Sequence, residues 1–149
     1  SAIPFNETDP IPKELDLSEI EAMIEGFKNA TRRALTAGFK VIELHAAHGY
    51  LLHEFLSPLS NKREDDYGGS FENRIRLLVF IAESLRQLIP ENFPLFVRIS
   101  ATDWADGGWD IQQSILLAKY LKNVGVDLID VSSGGLIPKA RIPVGKGYQ

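Results

Sequence analysis

The chain has 149 residues, 44% of them hydrophobic, with 16 Lys+Arg against 20 Asp+Glu for a formal charge of −4, which is the length and balance of one folded globular unit. That charge, with no Lys/Arg stripe, gives no electrostatic case for nucleic acid, and no apolar run approaches the ~20 residues needed to span a bilayer. The absence of cysteine removes disulfides, thiolate metal sites and cysteine nucleophiles, and fits a reducing compartment, so a cytoplasmic location is expected.

Residues 1–15, "SAIPFNETDPIPKEL", read as an extended loop because Pro4, Pro10 and Pro12 each disfavour helix. They lack the charged-then-apolar layout of a signal peptide. Asp16 then opens a helix, with Glu19 at capping-box spacing. Leu17, Ile20, Met23, Ile24, Phe27, Ala30, Ala34 and Leu35 form its apolar face, so Met23 and Phe27 are expected in the core. Gly38 closes it. "KVIEL" (40–44) is short and β-branched, a strand. Residues 45–69 are expected as a loop, followed by Ser70 as N-cap of a helix that stops before Pro90. "PLFVRIS" (94–100) is a second strand. Asp110 and Gln113 have capping-box spacing at the start of "IQQSILLAKYLKNV", which Gly125 ends, and "DLIDVSS" (127–133) is a third strand. Strands alternating with helices predict βαβ units, right-handed crossovers and a parallel sheet. The pattern alone leaves open whether that sheet is doubly wound or part of a barrel.

Alternation within the strands bears on that choice. Ile42 and Leu44, Val97 and Ile99, and Ile129 and Val131 make an apolar side suited to helices. The other side bears charge: Glu43 with His45, Arg98 with Phe96 and Ser100, Asp130 with Leu128 and Ser132. A sheet covered by helices on both sides wants two apolar faces, so three charges suggest a lumen or a site. Arg98 is expected to pair with Glu43 or Asp130. A buried ion-pair network without chemistry would satisfy the same pattern. The functional alternative has Arg98 facing a ligand of negative character. His45, Ser100 and Ser132 fall at strand C-termini, where parallel α/β folds bind ligands.

The stretch "HAAHGYLLHEFLSPLSNKREDDYGG" (45–69) concentrates the reactive side chains. Metal ligation by His45, His48, His53 and Glu54 would lack the helical H-E-x-x-H layout, and no metal is expected. A second reading makes the histidines satisfied loop residues. In a third, His45 and His48 donate to one substrate oxygen and the Tyr50 phenol delivers a proton. His53 looks incidental, while Asn61, Arg63 and Arg74 are expected to tie the loop down.

The run "AGFKVIELHAAHGYLLHEFLSPLSNKREDDYGGSFENR" (37–74), continued by "PLFVRISATDW", "GVDLIDVSSGG" and the final "GYQ", closely resembles the old yellow enzyme family of FMN-dependent NAD(P)H:flavin oxidoreductases, or ene-reductases. It looks closest to the bacterial and fungal branch with two histidines. The resemblance implies a TIM barrel with non-covalent FMN at its C-terminal mouth. It implies that His45 and His48 bind the carbonyl or nitro oxygen of an activated alkene, and that Tyr50 protonates the α-carbon while hydride reaches the β-carbon. Arg98 would stand beside the N1/C2-carbonyl edge of the flavin, with Ser132 and Gln149 lining the flavin site. NAD(P)H is the implied reductant. Such a barrel usually needs about 250 residues and eight strands. The chain is therefore expected to be the middle of one, about strands four to six, lacking the parts on either side and any G-x-G-x-x-G loop. It is expected either to self-associate or to be part of something larger, and alone to bind FMN weakly or not at all. Other readings are a family member acting on a dienoyl-CoA or nitro compound, a flavin-free self-associating α/β fragment, and a metal-dependent TIM-barrel hydrolase.

Overall fold

The computed structural model describes residues 1–138, 140, 142, 145 and 146. Gln149, assigned above to the flavin site, lies outside them. The elements in chain order are α1 (Leu17–Thr36), β1 (Ile42–Ala46), α2 (Leu51–Leu56), α3 (Phe71–Leu88), β2 (Leu95–Ser100), α4 (Ile111–Asn123) and β3 (Leu128–Ser132). The strands form one parallel sheet in the order β1-β2-β3. The register places His45 opposite Arg98 and Arg98 opposite Asp130.

Local chemistry sets most boundaries. Asp16 and Glu19 form the full reciprocal capping box of α1. Ser70 accepts from the Asn73 amide to start α3. Gly38 and Gly125 follow their helices at φ +86° and +88°, a conformation that glycine adopts without a Cβ penalty. At α4 only half of the expected box forms. The Gln113 amide bonds to Asp110, but the Gln113 side chain accepts from Arg74 and donates to Gly108 carbonyl instead. A buried guanidinium needing acceptors competes successfully for that amide.

Two boundaries differ from expectation. β1 begins at Ile42 and runs through His45 and Ala46, because ladder pairing with Arg98 and Ile99 holds those two residues extended. The 45–69 segment is not all loop: α2 occupies residues 51–56, burying Leu52, His53, Phe55 and Leu56. Its single short turn of apolar spacing is too brief for a periodicity signal.

One side of the sheet is the core. Leu44, Ala46, Leu95, Val97 and Ile99 pack with Ile20 and Ile24 of α1, Leu52 and Leu56 of α2, Leu77, Leu78, Ile81 and Leu85 of α3, and Leu117 and Leu121 of α4. Met23 and Phe27 pack against this cluster. Leu78→Ala, at a fully buried position, is expected to cost about 2–5 kcal/mol, read as a lower denaturant midpoint at unchanged slope.

The polar 57–74 segment is tied down as expected. Asn61 donates to the Phe55 and Tyr67 carbonyls. Arg63 bonds to Asp65 and to the Leu15 carbonyl. Arg74 reaches the Leu56 and Gly69 carbonyls. The other side of the sheet, which carries Glu43, His45, Arg98, Asp130 and Ser132, is half-buried to exposed.

Candidate active site

The site grows from the C-terminal ends of the three strands. After Ala46 the chain turns sharply through His48 at φ +59° and Gly49 at φ +75°. His48 is a left-handed non-glycine residue, held there by its surroundings. Its amide donates to the Ser100 hydroxyl at 2.9 Å, and that hydroxyl donates to the Gly134 carbonyl at 2.7 Å. Ser100, fully buried at the end of β2, thus joins the loop after β1 to the loop after β3. The two loops touch without side chains between them. A Cβ on Gly49 would sit 2.4 Å from the Gly135 carbonyl oxygen, and one on Gly135 would sit 2.5 Å from His48 Cα.

This turn gathers three rings. The His45 ring centroid lies 5.2 Å from that of His48 and 5.4 Å from that of Tyr50. His45 reaches the cluster from β1, and Tyr50 from the N-cap position of α2, where its side chain makes no capping bond. Tyr50 is 65% exposed. A cleft of about 520 Å³ opens beside it, lined by Phe5, His48, Tyr50, Glu54 and Leu136 among others. Burial raises the pKa of the Glu54 carboxyl.

His48 Nε2 lies 2.6 Å from the Ser132 hydroxyl. Burial, then the charge of Arg98, pushes its imidazole pKa below the ordinary value. A proton NMR titration should therefore find His48 titrating below ~6.5. The sign follows from linkage. As pH falls through 6.5 the unfolded imidazole takes up a proton first, so this group costs stability only on the acid side of that value.

Arg98 lies between His45 and Asp130 in register. Of the two expected carboxylates, Asp130 is the partner, with Nε 3.2 Å from Oδ2. The contact is Coulombic, because its geometry is not that of a hydrogen bond. Nε is screened from solvent and lacks a hydrogen-bond partner. Glu43 stands opposite Phe96 instead. A partly exposed cation on the strand next to the one that carries Ser132 fits an electron-rich carbonyl or ring-nitrogen edge. It therefore fits one edge of a flavin ring.

His53, which looked incidental, is fully buried and bonded at both ring nitrogens. Nδ1 accepts from the Gly49 amide at 3.0 Å, and Nε2 lies 2.9 Å from Asp103 Oδ1. Asp103 Oδ2 accepts from the Ser57 hydroxyl and the Trp109 amide at 2.6 and 2.7 Å. Burial pushes the Asp103 carboxyl up, yet the bonds from His53, Ser57 and Trp109 outweigh it and hold it below the usual carboxylate range. Sequence spacing offered one unused signal, His53 on the inner side of a turn with Leu52 and Leu56. Asp103, 50 positions away, offered none. Among the described residues, no group of three His, Cys, Asp or Glu side chains could hold a metal ion. The structure thus brings His45, His48, Tyr50, Arg98 and Ser132 to one end of the sheet.

The sequence profile of the NADH:flavin oxidoreductase / NADH oxidase family matches residues 2–148. An NADPH dehydrogenase of Geobacillus thermodenitrificans is 52% identical over 149 residues, covering all of this chain and 43% of the relative. One of Bacillus velezensis is 55% identical with the same coverage. The chain thus spans less than half the length of these relatives. Among solved structures, an old yellow enzyme homologue from Zymomonas mobilis superposes with TM-score 0.76 at 34% identity, over 84% of this chain and 36% of that one. A 2-naphthoyl-CoA reductase gives TM-score 0.85 at 33% identity, over 90% and 21%. The three parallel strands and their helices are therefore part of a TIM barrel of the old yellow enzyme kind.

Proposed function

The chain belongs to the NADH:flavin oxidoreductase / NADH oxidase family, and on that premise we propose that it carries the substrate-facing part of an FMN-dependent ene-reductase. The substrates are alkenes activated by a carbonyl or nitro group, with NADPH or NADH as reductant. Bound FMN would supply two-electron storage and hydride chemistry between the nicotinamide and the substrate's β-carbon. Arg98, whose side chain is 38% exposed, and Ser132 would hold one edge of that ring.

The observation that carries the reading is the convergence of two imidazoles and a phenol on one strand end. His45 and His48 donate to the substrate oxygen and stabilise the enolate-like charge that develops there. The lowered pKa of His48, set by burial and then by the charge of Arg98, favours the neutral ring. With Nε2 on the Ser132 hydroxyl, His48 donates through Nδ1, in the tautomer where Ser132 donates to Nε2. The exposed Tyr50 phenol delivers its proton to the α-carbon.

The test is product labelling with the full-length flavoprotein. Reduction of 2-cyclohexenone in D2O should place solvent deuterium at the α-carbon, and deuterium from a 4-deuterated nicotinamide at the β-carbon. Nicotinamide deuterium at the α-carbon, or no reduction by a flavin-loaded sample, would remove the reading.

Exposed apolar side chains favour a second property. Ile111, Ile115, Leu116 and Tyr120 of α4, and Leu128 and Val131 of β3, are all exposed. A 149-residue sample by itself is expected to associate and to retain little FMN, as gel filtration with absorbance detection would show. A flavin-free structural role would require that the full-length protein also retains none.

A further inference from the structure

We propose that Asp103 and His53 are positioning residues that set the left-handed His48–Gly49 turn through the tautomer of a buried imidazole. The proposal rests on the ene-reductase reading, since it concerns the placement of His48 and Tyr50 in that site. The Gly49 amide donates to His53 Nδ1. A backbone amide is always a donor, so Nδ1 must be unprotonated. A ring nitrogen facing a carboxylate is best protonated, and Nε2 faces Asp103 Oδ1 at 2.9 Å. The two contacts therefore demand the same Nε2–H tautomer. Both partners are buried, with side-chain exposure of 0%, so solvent cannot replace either bond.

The carboxylate is held in turn. Oδ2 accepts from two donors, Ser57 and the Trp109 amide, and the latter cannot rotate away. The relay thus runs from the loop after β2 through α2 to the turn after β1. It ends one residue from each of His48 and Tyr50. Ser100 fixes the same turn from the other side, through the His48 amide. Neither Asp103 nor His53 touches the cleft beside Tyr50, so neither is a catalytic residue.

Asp103→Asn tests the tautomer at constant shape. The oxygen of the new amide belongs at the Oδ2 position, because the Trp109 amide admits only an acceptor there. The NH2 group must then face His53 Nε2. That forces the proton to Nδ1, where it collides with the Gly49 N–H; an isosteric change of this kind sets the wrong tautomer in serine protease triads. A second pair separates the two contacts. H53N keeps an acceptor where Nδ1 stands but cannot reach Asp103, whereas H53Q keeps the reach and loses the acceptor.

In the full-length FMN-loaded protein, D103N and H53Q should speed amide hydrogen exchange at Gly49 at least tenfold. They should slow flavin re-oxidation by 2-cyclohexenone at least tenfold, with flavin content and the rate of reduction by NADPH within about threefold of the parent. H53N should keep Gly49 protection and re-oxidation within about threefold, even if its melting temperature falls as far as that of H53Q. Re-oxidation that tracks melting temperature alone across the three variants, or Gly49 exchange unchanged in D103N, overturns the proposal. If the histidine variants fail to fold, D103N decides alone. Failure of the parent itself to retain flavin or to reduce the enone strikes the ene-reductase reading instead, while Gly49 exchange still reports on the relay.

Discussion

Tyr50→Phe is expected to slow re-oxidation of the flavin by an enone about 10²–10⁴-fold, while reduction by NADPH and flavin content stay unchanged. The substitution removes one oxygen from a residue that is 65% exposed and whose side chain makes no capping hydrogen bond. Stability should therefore barely move. On the proposed reading His45 and His48 would still bind the substrate oxygen, so affinity for the enone should change far less than the rate. A loss in both half-reactions would assign Tyr50 to the flavin or nicotinamide instead. No loss in either would mean that solvent supplies the α-proton.

Gly49→Ala is expected to be strongly damaging. It forces alanine to φ +75° and puts the Cβ 2.4 Å from the Gly135 carbonyl oxygen, a backbone atom that cannot swing aside. Left-handed strain costs about 1–2 kcal/mol and overpacking about 1–3 more, so a loss on the order of 3 kcal/mol is expected. Gly69→Ala is the control. Gly69 has φ +77° with nothing within 4 Å of the added carbon, and should lose only about 1–2 kcal/mol of strain energy. Thermal melts of the two variants separate contact from strain. Equal losses would mean that the loops after β1 and β3 do not rest on each other as described. Re-oxidation should fall with Gly49→Ala and not with Gly69→Ala, because only the first moves His48 and Tyr50.

The legible part of this structure was the part written in local sequence. Asp16, Ser70, Gly38 and Gly125 announced helix ends because capping is a contest among neighbouring groups. Strand alternation separated the Leu44–Val97–Ile99 core side from the His45–Arg98–Asp130 side, and pairing follows that division. The family motif pointed to His45, His48 and Tyr50 together, and their rings do converge. What local sequence could not show depends on partners distant in the chain. β1 extends to Ala46 because β2 pairs with it. Gln113 left its capping role because Arg74 competes for its side chain. His53 gained its place from Asp103, and Ser100 from Gly134, across separations of 50 and 34 residues. The Arg98 choice of Asp130 over Glu43 likewise waited on register.

The most direct test is the visible spectrum of the full-length protein, recorded as purified, after anaerobic NADPH, and after 2-cyclohexenone. The account predicts a retained flavin band that NADPH bleaches and the enone restores. A folded protein with no flavin band after incubation with FMN, or a bleached band that the enone leaves unchanged, would contradict the assignment of this turn as an ene-reductase site.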